Sequence, residues 1–355
     1  MDGFSVRASD TYGASESLPA LFEIVADIPT GKSSNAGIGS GEAAVAYTGG
    51  ILADGADAVV MIERTQPADD VSIEVLRPVA PGENVIQVGE DVRTGEVLLQ
   101  AGHRIRPQDI GGLLALGIVK LPVYRKPIVA IVSTGDELTS PSVRPPKGKI
   151  RDINTYTIAV RAAQCGADHI SMGIVRDEYM PQLEAARAGI ESADLLVFSA
   201  GSSLSTRDMT AEVLNQLGNP GVLLHGISIK PGKPTVVGAA HGKPLFGLPG
   251  NPVSALVVFD LLVAPTIRVL SGETGDPITP VISAVLTQDV PSESGREDYV
   301  PVTLSSPRGS YTATPVFGKS NLIYTLIRSD GIIKVPMDSG GIYAGDTVDV
   351  RIHRA

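Results

Sequence analysis

Between Lys126 and Gly272 the chain alternates apolar, strand-like runs with helical ones, and no other feature narrows its fold as far. PIVAIVSTG is an apolar strand running into a loop, NTYTIAVRAAQCG reads as a helix capped by Asn154, HISMGIV is a strand and MPQLEAARAGIESA a helix. DLLVFSAG, DMTAEVLNQLG, TVVGAA and PLFGL continue the series, and VSALVVFDLLVAPTIRVL closes it as a long buried helix. Alternation of this length predicts a doubly wound, mostly parallel sheet covered by helices on both faces.

The flanking sequence is different. Residues 1–83 carry short apolar segments between turn residues, the pattern of a small β-rich domain, with GSGE (Gly39–Glu42) as a hairpin turn rather than a phosphate loop. Residues 84–124 hold short strands and one helix, Pro107 to Leu116, with Gly117 as its C-cap, and serve as a connector. Residues 125–272 form the α/β domain, and 273–355 revert to short β runs that suit a C-terminal β-barrel domain. The fold class is thus multidomain α/β plus β.

Composition removes several functions. The net charge of −10, with acids spread along the chain, offers no basic stripe for a nucleic acid. Cys165 is the one cysteine, so disulfides and thiolate metal sites within a chain are excluded, and its place at a helix end suits an inert residue. The five histidines stand singly and no nucleophile-elbow serine is present, which disfavours zinc and serine hydrolases. With no membrane-length apolar run expected and no signal-peptide pattern in MDGFSVRASD, the expected location is cytoplasmic.

In an open α/β sheet, ligands bind beyond the carboxyl ends of the strands. Four loops follow apolar strands here: STGDEL (Ser133–Leu138), SAGSSLSTRD (Ser199–Asp208), KPGKP (Lys230–Pro234) and LPGNP (Leu248–Pro252). Strand direction alone predicts one rim, with Asp136, Glu137, Ser202, Ser203, Asp208, Lys230 and Lys233 around one cleft. Exposed loop amides beside paired lysines make an anion site, and Asn251 with Pro252 reads as the cap and first turn of a helix. Carboxylates on the same rim repel an anion unless a cation stands between them, and Mg²⁺, shared by one or two acids and phosphate oxygens, is the natural candidate. The residues alone therefore point to a phosphorylated small molecule with a divalent ion. The plainer alternatives are turns with solvated lysines, Asp208 as a helix cap, Asp136 as a turn residue and Glu137 as a surface acid.

The pair KPGKP and LPGNPVSA is specific, and MDG, TGGILADGADAVVMIE (Thr48–Glu63) and TGDEL occur in the expected order. On these motifs the chain resembles the molybdopterin molybdenumtransferase family, whose eukaryotic member is the E domain of gephyrin. The resemblance covers essentially the whole chain. It implies insertion of molybdenum into adenylylated molybdopterin, with Mg²⁺ bound, molybdate as substrate and AMP released, and no protein nucleophile. It implies catalytic roles for Asp2, Thr48, Glu63, Glu137 and Asp208, the last two also holding the metal. Asp136, Ser202, Ser203, Lys230, Lys233, Pro249 and Pro252 would contact the pterin substrate, and Lys230, Lys233, Ser254, Arg296 and Ser320 the molybdate. The family's elongated homodimer, which involves the connector, would set Asp2 and Glu63 opposite the other subunit's lysines.

Two departures stand out. Family members usually carry a helical segment before MDG that helps to build the dimer, which leaves the mode of dimerisation open. SAGSSLSTRD replaces a more glycine-rich SGGVS-type loop, with Arg207 as an added charge. Rival readings are Mg-ATP-dependent adenylylation of molybdopterin, by a family that shares the central fold, and a non-catalytic gephyrin-like scaffold.

Overall fold

The computed structural model describes residues 2–32, 34–200, 204–275, 280–306 and 309–353, with the backbone alone for residues 204–208. Two compact units divide the chain, Met1–Leu98 and Leu99–Ala355.

In the first unit, β1 (Gly3–Val6), β2 (Ala20–Ile28), β3 (Glu42–Ala46), β4 (Ala58–Met61), β5 (Thr65–Pro67) and β6 (Ser72–Val75) form one sheet in the order β4-β1-β3-β2-β6-β5. Alternate residues such as Val6, Phe22, Ala43, Val60 and Ile73 close its core. β2 and β3 run parallel, so GSGE is a turn into β3 and not a hairpin. Its amides are already occupied: Gly39 donates to Glu42 at 2.6 Å and Gly41 to Asp10 at 3.1 Å.

β1 lies antiparallel to both β3 and β4, and Gly3 is fitted closely against β4. A Cβ on Gly3 would stand 2.0 Å from the Val60 carbonyl oxygen, so a side chain there forces the strands apart. Gly3→Ala should therefore lower the unit's stability by about 1–3 kcal/mol, read by thermal unfolding. An unchanged melting curve would show that β4 can yield.

Among the described residues there is no strand between β6 and Ile128, contrary to the short strands expected in 84–124. The segment instead closes on itself in turns whose amides bond to side-chain acids, as Gln87 to Glu90 at 2.8 Å and Arg93 to Glu96 at 3.2 Å. In the second unit, helix α1 spans Pro107–Ala115. Leu116 is its C-cap, and Gly117 follows in the left-handed region (φ 76°), with Ile118 N–H returning to the Leu113 carbonyl at 2.9 Å.

The central domain runs β7 (Ile128–Thr134), β8 (Leu138–Thr139), β9 (Ile150–Arg151), α2 (Asn154–Gln164), β10 (Asp168–Val175), α3 (Tyr179–Ser192), β11 (Leu195–Ala200), α4 (Leu204–Asn215), β12 (Pro220–His225), β13 (Ile229–Lys230), β14 (Val236–Ala240), β15 (Lys243–Pro249), α5 (Pro252–Val258), a π-helical turn Phe259–Val263 and α6 (Ala264–Leu270). Its sheet has the order β10-β7-β11-β15-β14-β12, in which β10, β7, β11 and β15 are parallel and β14 is antiparallel to both its neighbours. Both faces of the inner strands β7, β11 and β15 are buried, which is why these are apolar along most of their length, while β10 and β12 at the two sides are more exposed. Val129, Ile131, Leu195 and Val197 pack with α2, α5 and α6, while Ala130, Val132, Leu196 and Phe198 pack with α3 and α4.

Pro252–Leu270 is continuous and helical over 19 residues, and an 18-residue stretch of it has a mean hydropathy of 2.0, long and apolar enough to cross a membrane. This corrects the expectation that no run reaches that length. Its Val258, Phe259, Val263 and Ile267 are in the core of the α/β domain, the ordinary setting for a helix apolar on most sides.

The last segment adds β16 (Val281–Leu286), β17 (Val290–Pro291), β18 (Glu297–Ser305), β19 (Thr312–Pro315), α7 (Tyr324–Ile327), β20 (Gly331–Val335), β21 (Gly341–Ile342) and β22 (Thr347–Ile352). β18-β19-β16-β22-β20 closes on itself through a β18–β20 pairing, giving a five-stranded barrel. β13 does not belong to the central sheet. It pairs in parallel with β18, setting Lys230 beside Asp298.

Candidate active site

The register fixes which strand ends meet. Thr134 of β7 stands beside Val175 of β10, Ser133 beside Ser199 of β11, and Ala200 beside Pro249 of β15. The loops carrying Asp136 and Glu137 and the LPGNP loop therefore share one rim. KPGKP reaches the same rim by a route that strand direction did not predict. It precedes the antiparallel β14, whose first residue, Val236, pairs with Gly247 near the end of β15.

Beneath the rim lies a buried polar network. The Ser133 and Thr155 hydroxyls are 2.7 Å apart and both reach Asp152. Asp152 also accepts from the Thr155 amide at 3.2 Å, which makes it the side chain that caps α2 in place of Asn154. The Asn154 amide donates instead to Ser199 Oγ (2.8 Å) and the Gly250 carbonyl (2.9 Å), tying the end of β11 to LPGNP. Asn251 is the N-cap of α5 by position, yet its side chain makes no cap and donates to Ser320 Oγ at 2.9 Å.

A cleft of about 900 Å³ opens between these loops and the barrel of the same unit. Lys230, Lys233, Pro249, Ser254, Arg296 and Ser320 all line it, as do Asp298 and Lys319, which sequence reasoning missed. Gly232 (φ 130°) lets KPGKP sit down on Ile229 and Val258, each 2.7 Å from where a Cβ would be. The loop is closed by Thr235 Oγ1 donating to the Gly232 carbonyl at 2.6 Å. Asp298, nearly fully buried, accepts from Arg296 Nε at 2.9 Å and lies 3.7 Å from Lys230 Nζ. The barrel is thus joined to both loops, through Asp298 and through Val253 N–H on the Ser320 carbonyl at 3.1 Å. Four cationic side chains line the cleft against one carboxylate, in a chain of net charge −10. That imbalance concentrates positive potential where a small anion would enter.

The expected single cleft is divided. Asp136 and Glu137 are on the rim but do not line this cavity. From β7 to β14 is three strand spacings, roughly 14 Å. Pro252 is buried in the first turn of α5 rather than at the cavity wall. Ser202, Ser203 and the side chain of Asp208 lie outside the described residues. In the first unit, Asp2, Thr48 and Glu63 follow or precede strand ends at one end of the sheet, where β1 begins and β3 and β4 end. The Thr48 amide donates to Asp2 Oδ1 at 2.8 Å, and this bond foremost holds the Asp2 carboxyl below its ordinary range.

Asp177, at the end of β10, completes the acidic end of the rim. The Asp136 amide donates to its Oδ2 at 3.3 Å, while its Oδ1 is buried with no hydrogen-bond partner among the described residues. Burial pushes its pKa up, and the Glu137 and Asp136 charges add to the rise. A raised folded pKa means stability is lost as pH rises from the unfolded value through the folded one. Asp177→Asn, which does not titrate, should raise Tm by about 1–2 °C at pH 7 and show no advantage below about pH 3.8, in pH-dependent melts. An advantage that persists in acid would assign it to packing instead. An acid two residues after the strand HISMGIV, in the same position as Asp136 after PIVAIVST, was the signal that could have found it.

Residues 1–117 match the family described as MoeA N-terminal region (domain I and II), 130–269 the probable molybdopterin binding domain, and 283–352 the MoeA C-terminal region (domain IV). A molybdopterin molybdenumtransferase of Bacillus subtilis is 35% identical over 99% of this chain and 83% of its own. The chain belongs to the molybdopterin molybdenumtransferase (MoeA) family. Molybdopterin molybdenumtransferase 2 of Mycobacterium tuberculosis is 30% identical over 99% of this chain and 87% of its own. A crystal structure of a molybdopterin biosynthesis MoeA protein from Pyrococcus horikoshii superposes with a TM-score of 0.85 at 31% identity, covering 99% of this chain and 86% of that one. The MoeA family supports an enzymatic role in molybdenum cofactor biosynthesis for this chain.

Proposed function

We propose that the protein inserts molybdenum into adenylylated molybdopterin, with release of AMP. The observation that carries this is the cationic cleft, where Lys230, Lys233, Arg296 and Lys319 stand around the hydroxyls of Ser254 and Ser320. Hydroxyl donors among several cations suit a tetrahedral dianion, molybdate, as the second substrate. The distance to the acidic end of the rim favours an extended co-substrate over a lone oxyanion. In this reading the phosphoanhydride lies along the rim and is hydrolysed by water, while the cations neutralise the charge of the leaving phosphate.

Among the described residues no group of three His, Cys, Asp or Glu side chains is placed to hold a metal ion. The acidic end nevertheless fits Mg²⁺ of the kind shared with substrate phosphates, because the unpartnered Asp177 Oδ1 and the like charges around it favour a cation. Glu137 and Asp208 are the acids proposed to hold it, with Asp177 near Glu137. When bound, the ion would offset charge on the phosphate oxygens. Asp2, Thr48 and Glu63 are proposed as a further part of the catalytic set. The division of labour assigns 1–83 to these three residues, 84–124 to homodimerisation, 125–272 to the pterin, and the oxyanion to 273–355 together with the lysine loop and Ser254.

The test supplies the protein with adenylylated molybdopterin and follows AMP. Release on adding molybdate, with no ATP consumed, is expected. Consumption of ATP in its place would make the protein an adenylylating enzyme, and unaltered cofactor formation by Glu137→Ala would remove the acidic rim from the reaction.

A further inference from the structure

A second cavity, of about 660 Å³, opens between α2, the Pro252–Leu270 helix, α7 and the last strand of the barrel. None of the residues assigned above to the pterin, the metal or the oxyanion lines it. Its walls are apolar, with Tyr156 and Val160 from α2, Leu261 from the π-helical turn, and Ile327 from α7. Three of these, Tyr156, Val160 and Ile327, are more than half exposed, a high figure for apolar side chains on a formed concave wall.

The charges in this cavity are unequal. Arg161, Arg268 and Arg351 line it, and Asp260 is its one lining carboxylate. Asp260 is already committed, accepting from Arg161 Nε at 3.0 Å, and Arg161 Nη1 donates to Gln164 at 2.7 Å. Arg268 makes no ion pair among the described residues. Asp260 and Leu261 sit in the π-helical turn Phe259–Val263, a widened segment of helix of the sort that recurs at functional sites. An irregular helix, a formed cavity and an excess of guanidinium groups over apolar walls are three independent features that coincide here.

We propose that this cavity is a second ligand site, for a small organic anion with a flat apolar body and a single anionic head. The head would meet Arg268, and the body would lie against Tyr156, Val160 and Leu261. Guanidinium suits a carboxylate, phosphate or sulfonate head because its fork matches paired oxygens.

The probe is 8-anilinonaphthalene-1-sulfonate, an aromatic sulfonate, titrated into the full chain beside the uncharged N-phenyl-1-naphthylamine. Saturable binding of one sulfonate per chain is expected, about tenfold tighter than the neutral compound. Arg268→Glu should abolish that preference and leave the neutral probe in place. Val160→Trp, at an exposed position on the wall, should weaken both by about tenfold through blockage alone. Molybdate should not compete. The proposal fails if sulfonate binding ignores both substitutions, or if molybdate displaces the probe. It fails equally if binding falls as protein concentration rises, which would make a second copy of the chain the occupant.

Discussion

Lys230→Ala with Lys233→Ala should lower molybdate-dependent AMP release by about 10²- to 10³-fold while leaving the fold intact. Each charge-assisted contact to an oxyanion is worth about 1.5–3 kcal/mol, and about 1.4 kcal/mol is a factor of ten in rate. The two lysines are neighbours on one loop, so their effects overlap and the product of single losses overstates the double one. Stability should move by less than about 1 kcal/mol, since Lys230 is 60% exposed and its 3.7 Å approach to Asp298 is screened by water. Lys233 is exposed and makes no ion pair among the described residues, so its single substitution tests the oxyanion role most cleanly. Steady-state kinetics over a range of molybdate concentrations would check this. A double variant with near-normal turnover would show that the cleft is not where the oxyanion reacts.

The second large effect is expected in assembly. Helix α1 has no buried residue, yet it presents Ile110 (51% exposed) and Leu114 (55% exposed), and the strand-free stretch after it exposes Ile118, Val119 and Val123. An apolar surface of this kind, on a helix that lies outside its own core, is where the proposed homodimer is expected to pack. With the proposed homodimer, a two-fold axis doubles every substitution. Burying a Leu or Ile side chain stabilises by about 1.5–3 kcal/mol, and an acid in its place adds a desolvation cost. Ile110→Asp with Leu114→Asp should therefore weaken self-association by at least about 10³-fold, read by sedimentation equilibrium. The separated chain should keep its thermal unfolding transition, because nothing in its core is touched. Unchanged association would place the interface elsewhere.

How much of this could be read beforehand depended on how local each signal was. Periodicity and turn residues are local, so the α/β order, the barrel and the rim could all be anticipated. Whether β14 runs with or against its neighbours is decided by pairing across the sheet, and TVVGAA carries no mark of direction. The same holds for β2 and β3, whose parallel pairing turned GSGE from a hairpin into a lead-in. Side-chain partners were least legible. Asn154 and Asn251 both have the composition of a cap, but each spends its amide on another loop, to Gly250 and to Ser320. Asp298 could not be recognised as the seat of two cations until β13 was seen to pair with β18.

That pairing gives the lysine loop an unusual anchorage. Its upstream end, Ile229–Lys230, is hydrogen-bonded into the barrel, and six residues on, Val236 is fixed in the central sheet. A tether this short has almost no slack. Any tilt of barrel against sheet must pull directly on the reach of Lys230 and Lys233, so the two domains can only rock by changing the grip of the very cations proposed to meet the incoming anion.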